Sequence, residues 1–370
     1  MAVTGAVGVG IIGAGVISDI YLENLNAFAD TEVVAIGDIV PDAAKARADK
    51  HGVAVFGDVD AVLGDPGVEI VVNLTTPAAH AAVATAAVRA GKHVWNEKPL
   101  TLDRDSAAEL LAKAEMVGLR VGCAPDTFLG EGLQTARRII ERGDIGTPLT
   151  ALTLFQSPGP DSWHPNPDFL FQDGAGPLFD MGPYYLTTLV QTFGPVAKVA
   201  AIGSIGRAKR VVGSGPRAGE VFDVTVPSHV SAIAQFESGQ SSQSIFSFDS
   251  PLGRSGWMEI DGTEATLALP DPNRFDGEIR FKPKGKNEPW STVATTQAKS
   301  RRGTGVLDLA RAIRTGRPHR ASGALAYHVL DVMVSISESI ERAEFVDVAS
   351  TVAIGELLPE DWDPITSTIA

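Results

Sequence analysis

Residues 7–18 read Val-Gly-Val-Gly-Ile-Ile-Gly-Ala-Gly-Val-Ile-Ser, and the fold turns on how that stretch is parsed. An apolar, β-branched run over 7–12 ends on Gly13, and Gly13, Gly15 and Ser18 form a Gly-x-Gly-x-x-small pattern as a helical stretch begins. Such a turn needs its first glycine for tightness and its second so that backbone can approach a pyrophosphate. The small third residue lets the helix pack closely on the strand. Gly8, Gly10 and Gly13 share the spacing, but that register buries the turn inside the strand and leaves Ile11 and Ile12 in a loop. Gly13, Ala14, Gly15, Val16 and Ile17 are therefore assigned to a dinucleotide-binding turn. Asp38 follows the next apolar run, 25 residues beyond Gly13, near the offset of about 20 residues at which a carboxylate receives the adenosine ribose hydroxyls. A carboxylate there repels a 2′-phosphate, and Ile39 behind it cannot neutralise one. The sequence predicts NAD in preference to NADP.

Outward from this turn, short β-branched runs alternate with Ala-rich helical stretches. Strands are expected over 7–12, 33–37, 70–74, 93–96 and 120–123, and helices over 17–26, 43–51, 78–90 and 106–117, the last capped by Asp105 or Ser106. The alternation predicts an α/β Rossmann domain, a doubly wound parallel sheet, over residues 1–124. A helix over 133–142 follows, and then the pattern changes. Strands over 149–156, 196–203, 228–236, 240–248, 257–262 and 265–268, with polar turns between them, predict an α+β domain over 125–370 built on a large, mainly antiparallel sheet. Its one strong internal helix is expected over 183–193, and 271–302 reads as a surface excursion holding a strand or two. Helices over 306–315 and 322–342 close the chain, at least one of them packing back beside the first domain.

At 370 residues the chain exceeds one ordinary core. With 44% hydrophobic and 21% charged residues it is a folding composition. Its 31 basic and 45 acidic residues leave a net charge of −14, which opposes binding to nucleic acid or to an anionic membrane surface. Cys123 is the single cysteine; it can make no internal disulfide and reads as a buried, inert thiol. Residues 1–5 lack a basic leader region, and no apolar run reaches the roughly 20 residues of a membrane span. A cytoplasmic location is expected. The scattered His and Asp residues lack metal-ligand spacing, so no metal is expected.

The strand over 93–96 runs into Glu97-Lys98-Pro99, which puts a lysine at the carboxyl end of a sheet strand, where open α/β sheets bind their ligands. Four further features join it: Gly13-Ala14-Gly15, Asp38, Thr75-Thr76-Pro77 after the strand over 70–74, and Asp180-Met181-Gly182-Pro183-Tyr184 in the later part. In this order they resemble the glucose-fructose oxidoreductase and inositol dehydrogenase family, Gfo/Idh/MocA, along nearly the whole chain. The resemblance implies cofactor contacts from Thr75, Thr76, Pro77, Glu97 and Lys98, and a Lys98 that hydrogen-bonds the reacting substrate oxygen. A cation there stabilises the alkoxide that develops as hydride leaves.

Asp180 and Tyr184 are four residues apart and can face one cleft. Many relatives carry histidine where Tyr184 stands, and tyrosine also occurs there. A phenol of ordinary pKa, about 10, is a poor base at neutral pH unless a cation such as Lys98 lowers it. Tyr184 is thus the more natural proton donor in the reductive direction, or a base at alkaline pH, and Tyr185, about 100° around the helix, reads as core. His164, in Trp163-His164-Pro165, is the alternative acid-base group, and Asp126 and Thr127 are candidates to reach a polyol hydroxyl. His80 reads as a packed histidine near the cofactor. The expected activity is NAD-dependent dehydrogenation or reduction at CH–OH groups of a sugar, polyol or related cyclic compound. Two alternatives are an NAD-sensing regulator without turnover and a glycoside-cleaving enzyme that retains its NAD. The open face of the large sheet predicts a homodimer or homotetramer.

Overall fold

The computed structural model describes residues 5–285, 287–295 and 299–369; residues 1–4, read above for a leader, and a few positions of the 271–302 excursion lie outside them. The chain divides into two units. The first comprises the described residues of Met1–Gly130, Gln297–Tyr327 and Gly355–Ala370, and the second those of Glu131–Thr296 and His328–Ile354.

In the first unit β1 (Val7–Ile12), β2 (Thr31–Gly37), β3 (Val55–Gly57), β4 (Ile70–Asn73), β5 (His93–Asn96) and β6 (Val121–Cys123) form one sheet in the order β3-β2-β1-β4-β5-β6. All five pairings are parallel, which is the doubly wound order with its switch point between β1 and β4. The crossovers are α1 (Ser18–Ala27), α2 (Pro41–His51), α3 (Val59–Leu63), α4 (His80–Arg89) and α5 (Arg104–Met116). β1 and β4 are buried throughout, as strands covered on both faces must be, and their Val/Ile content follows from that.

Two elements, β3 and α3, are absent from the sequence expectation. β3 is three residues long and α3 buries only Val62, so neither carries a periodic signal. The cap of α5 also differs: the Asp103 carboxylate, not Asp105 or Ser106, accepts the Ser106 N–H at 2.7 Å. The helix thus starts two residues earlier than expected.

The second unit holds α6 (Glu131–Glu141), β7 (Pro148–Gln156), α7 (Gly176–Phe193), β8 (Val196–Ser204), β9 (Lys209–Val211), β10 (Val221–Asp223), β11 (His229–Phe236), β12 (Ser241–Ser247), β13 (Arg254–Gly262), β14 (Ala265–Ala268), β15 (Ile279–Pro283) and β16 (Ser291–Val293). After these, α8 (Thr304–Thr315) lies in the first unit, α9 (Gly323–Arg342) starts in the first and ends in the second, and β17 (Val346–Asp347) completes the large sheet. That sheet runs β16-β15-β14-β13-β7-β12-β11-β8-β17, antiparallel except for the parallel β7–β12 pair.

α7 lies on one face of the sheet, where Tyr185 meets Phe155 and Phe246 edge-on at 6.4 and 5.8 Å between ring centroids. The helix begins seven residues before the expected 183. Pro177, not Pro183, takes the first-turn position, and Pro183 lies inside the helix. Pro183 has no N–H for the Phe179 carbonyl, a cost that the burial of almost the whole helix beyond it offsets.

Candidate active site

The cofactor turn follows from the backbone of β1. Gly13 adopts φ +107°, and a Cβ on it would sit 2.7 Å from the Leu74 carbonyl, so glycine is required for conformation and for contact with the end of β4. At Gly15 a Cβ would meet nothing within 4 Å, which leaves the open approach a pyrophosphate needs. Ser18 is fully buried and its hydroxyl donates to the Gly15 carbonyl at 2.7 Å. No side chain caps the N-terminus of α1 among the described residues; the Ser18 N–H turns back to the Gly15 carbonyl at 3.2 Å, and the positive end of the helix dipole faces the turn, where it favours an anion. Asp38 closes the group: Oδ2 accepts the Ala14 N–H at 2.7 Å and Oδ1 the Val40 N–H at 2.8 Å. Gly13, Ala14, Gly15 and Asp38 are therefore together, with Val16 91% exposed beside them. These residues fit a dinucleotide.

Arg47 of α2 is a residue the sequence reading missed. It pairs with Asp19 at 2.5 Å and reaches the carbonyls of Ala14 and Gly15 at 3.4 and 3.5 Å. It is a cation against the turn that no motif announces.

At the carboxyl ends of β4 and β5, Asn73 and Asn96 are register partners and fully buried. Asn73 Nδ2 donates to Asn96 Oδ1 at 2.9 Å, Asn73 Oδ1 accepts the Thr75 hydroxyl at 2.6 Å, and Asn96 Nδ2 donates to the Leu100 carbonyl at 3.0 Å. This ladder holds Thr75, the first residue of Thr75-Thr76-Pro77, on one side and the Leu100 end of the Lys98 turn on the other. Glu97 is buried: Oε1 accepts the Tyr21 hydroxyl at 2.9 Å and Oε2 the Lys98 N–H at 3.0 Å. Trp95 Nε1 in turn donates to Tyr21 at 3.2 Å. Lys98 is half-buried in the following turn. Cys123 is buried, and burial pushes its thiol well above the usual range, which suppresses the thiolate.

Asp126 and Thr127 are buried within the same unit. The Asp126 carboxylate is committed to α8: Oδ2 accepts the N–H groups of Gly303 and Gly305 at 2.9 and 3.1 Å, and Oδ1 meets Arg302 at 3.4 Å. Burial raises its pKa. α8 has no side-chain cap from its own flank, and Asp126 supplies one from 177 residues away.

In the second unit Asp180 and Tyr184 share α7 one turn apart, Asp180 half-buried and Tyr184 7% exposed. Tyr185 is fully buried and its hydroxyl accepts the Gly256 N–H at 2.8 Å. His164 lies in the segment between β7 and α7, edge-on to Trp163 and Phe169 at 5.5 and 5.6 Å, its Nδ1 accepting the Asn166 N–H. Its loop is sewn to the β9–β10 ribbon by Arg217, which forks Asp168 at 2.8 and 2.9 Å, and by Ser214, which bonds the Trp163 carbonyl at 2.6 Å. Neither ribbon strand nor these pairs were visible in the sequence.

Two family models match the chain: the oxidoreductase family, NAD-binding Rossmann fold, over residues 7–124, and the GFO/IDH/MocA C-terminal domain over residues 133–268. Inositol 2-dehydrogenase of Salmonella typhimurium is 34% identical over 144 residues, covering 38% of this chain and 43% of its own. A 1,5-anhydro-D-fructose reductase of Ensifer adhaerens is 27% identical over 264 residues, covering 70% and 74%. The chain spans about half the length of the first curated relatives it matches. Levoglucosan dehydrogenase in complex with NADH and L-sorbose superposes with a TM-score of 0.80 at 22% identity, covering 93% of this chain and 99% of that one, a likeness of fold. With the Rossmann turn, the Glu97-Lys98-Pro99 strand end and both family models in agreement, the chain belongs to the Gfo/Idh/MocA oxidoreductase family.

Proposed function

We propose that this chain is an NAD-dependent oxidoreductase acting on a CH–OH group of a sugar, polyol or related cyclic compound. The observation that carries the reading is the carboxyl edge of one parallel sheet, which presents both a Gly13–Gly15 turn backed by Asp38 and a lysine held on a buried asparagine ladder. Gly13, Ala14, Gly15, Val16, Ile17 and the positive N-terminal end of α1 would hold the pyrophosphate, Asp38 the adenosine ribose, and Thr75, Thr76, Pro77 and Glu97 the remainder. The bound nicotinamide supplies the hydride acceptor or donor. Lys98 donates a hydrogen bond to the reacting oxygen and stabilises its negative charge. Tyr184 exchanges the hydroxyl proton, and Asp180 orients the substrate or Tyr184.

NAD over NADP rests on Asp38, whose carboxylate repels a 2′-phosphate; Arg47 acts in the opposite sense, so the ratio of affinities for the two cofactors tests the preference directly. The relatives named for inositol and anhydrofructose support a polyol or sugar substrate. We also propose a homo-oligomer formed through the sheet face opposite α7, where Ile202, Ile233 and Trp257 are 76%, 45% and 44% exposed.

The deciding experiment is a spectrophotometric screen for NADH formation across sugars and polyols at neutral and alkaline pH, with Lys98→Ala as control. Turnover that falls by about 100-fold or more in the variant is the expected result. Unchanged turnover in Lys98→Ala would overturn the assignment of the site.

A further inference from the structure

His80 opens α4, is 1% exposed, and points each ring nitrogen at a main-chain carbonyl: Nδ1 is 2.7 Å from the Pro99 oxygen and Nε2 is 3.1 Å from the Thr75 oxygen. The two carbonyls belong to different loops, one after β4 and one after β5. A carbonyl only accepts, so each contact requires a proton on the nitrogen facing it, and a neutral imidazole carries one. The shorter contact assigns that proton to Nδ1, which leaves the Nε2 lone pair against the Thr75 carbonyl.

The surroundings make this more than a packed ring. Asn73 Nδ2 donates to the His80 carbonyl at 3.2 Å as well as to Asn96, Asn73 Oδ1 holds the Thr75 hydroxyl, and Asn96 holds the Leu100 carbonyl. Asn73, Asn96, the 99–100 backbone, His80 and Thr75 thus form a hydrogen-bonded circuit around the ends of β4 and β5. It is complete except at Nε2 and Thr75, the one contact a neutral ring cannot make.

We propose that His80 is a positioning residue for Lys98 and a proton-dependent latch between the two loops. As the neutral ring it fixes the Pro99 carbonyl, and with it the turn that presents Lys98. Once protonated it also binds the Thr75 carbonyl and ties the cofactor loop to the lysine turn. The ionisable groups facing it are Glu97, which favours the proton, and Lys98, which opposes it; burial is the larger effect and lowers the pKa below that of an ordinary histidine. The second contact therefore forms on the acid side of neutrality. The role for Lys98 rests on the proposed function, whereas the tautomer and the latch do not.

The test uses the full chain. In 15N-histidine NMR, with His80→Asn identifying the signal, the wild type is expected to show an Nδ1–H tautomer at neutral pH, protonation below the range of an ordinary histidine, and a shift on adding NADH. An Nε2–H tautomer, or a ring freely exchanging between the two, would overturn the proposal whether or not a substrate is known. In kinetics, His80→Phe is expected to lower kcat about tenfold or more with the substrate KM changed much less. His80→Asn, which keeps a donor near Nδ1, should restore most of that loss and flatten the acid limb of the pH profile. A folded His80→Phe with wild-type kcat, or an Asn variant with an unaltered acid limb, would also overturn it. If the wild type turns over no sugar or polyol, the proposed function fails and the NMR result still decides the latch.

Discussion

Replacing Asp126 by alanine removes the acceptor for two buried N–H groups at the start of α8 and the partner of Arg302. Each N–H bond to a charged acceptor contributes about 1.5–3 kcal/mol. Part of that is offset, because the raised pKa of Asp126 shows that the protein also bears a desolvation cost to keep the carboxylate charged. The net loss works out at about 3–5 kcal/mol, the usual cost of removing one partner from a buried charged cluster. Asp126→Asn keeps an oxygen for Gly303 and Gly305 and gives up only the charge, so about 1 kcal/mol is expected. Urea unfolding followed by circular dichroism reads both variants, and the alanine change corresponds to a melting temperature lower by roughly 10 °C. The same residue was a sequence candidate for substrate binding, so KM for the sugar or polyol is measured in the folded asparagine variant. A raised KM with unchanged stability would refute the capping role; lower stability with unchanged KM would establish it.

Two glycines of the cofactor turn should separate folding from binding. Gly13→Ala, at φ +107° and 2.7 Å from the Leu74 carbonyl, is expected to lower the melting temperature through about 1–3 kcal/mol of strain. Gly15→Ala, whose Cβ meets nothing, should leave the melting temperature alone and weaken NADH about tenfold or more in a fluorescence titration; undiminished affinity would remove the turn from the cofactor's path. The buried His80 and His328 and the half-buried His93 and His319 all have pKa values lowered by desolvation, that of His93 to about 4. The unfolded chain takes up protons near pH 6.5 while the folded chain does so only at lower pH, so stability is full above that value and falls as pH drops toward 4. His93 alone accounts for about 3 kcal/mol of this loss. Urea midpoints across the window measure it, and a His93→Gln variant with the full wild-type slope would contradict it. Ile233→Asp, on the open sheet face, is expected to shift the sedimentation coefficient to that of a monomer with catalysis per subunit largely retained; an unaltered assembly would place the interface elsewhere.

What could be read from the sequence, and what could not, follows from how far apart in the chain the partners lie. The Gly13–Gly15 turn, Asp38 and the Lys98 strand end were readable because each depends on neighbours within one β-α unit: an apolar run, a glycine at its end, a polar residue where the strand stops. β3, α3, β9 and β10 were not, since elements of three to five residues carry too little periodicity to stand out from turns. The Asn73–Asn96 ladder, Arg47 over the turn and the Asp126 cap are satisfied across 23, 33 and 177 residues, and no local pattern encodes such a partner.

α7 shows the same limit inside a single helix. Pro177 and Pro183 are equally good first-turn residues by local rules, and a helix starting at Pro183 avoids an interior proline. The longer helix prevails because its added first turn buries Pro177 and Leu178, the latter at 3% exposure, a gain that an isolated segment cannot register. The extension also changes what the helix can do. With its start at Gly176, Asp180 lies within regular helix one turn before Tyr184, so the two are spaced by helix geometry rather than by a flexible approach to Pro183. A loop mutation before Gly176 should therefore leave their spacing intact, whereas Met181→Pro, which keeps both side chains but breaks the helix between them, should disrupt it. Loss of turnover in the second with retention in the first would tie the pair to the helix that carries them.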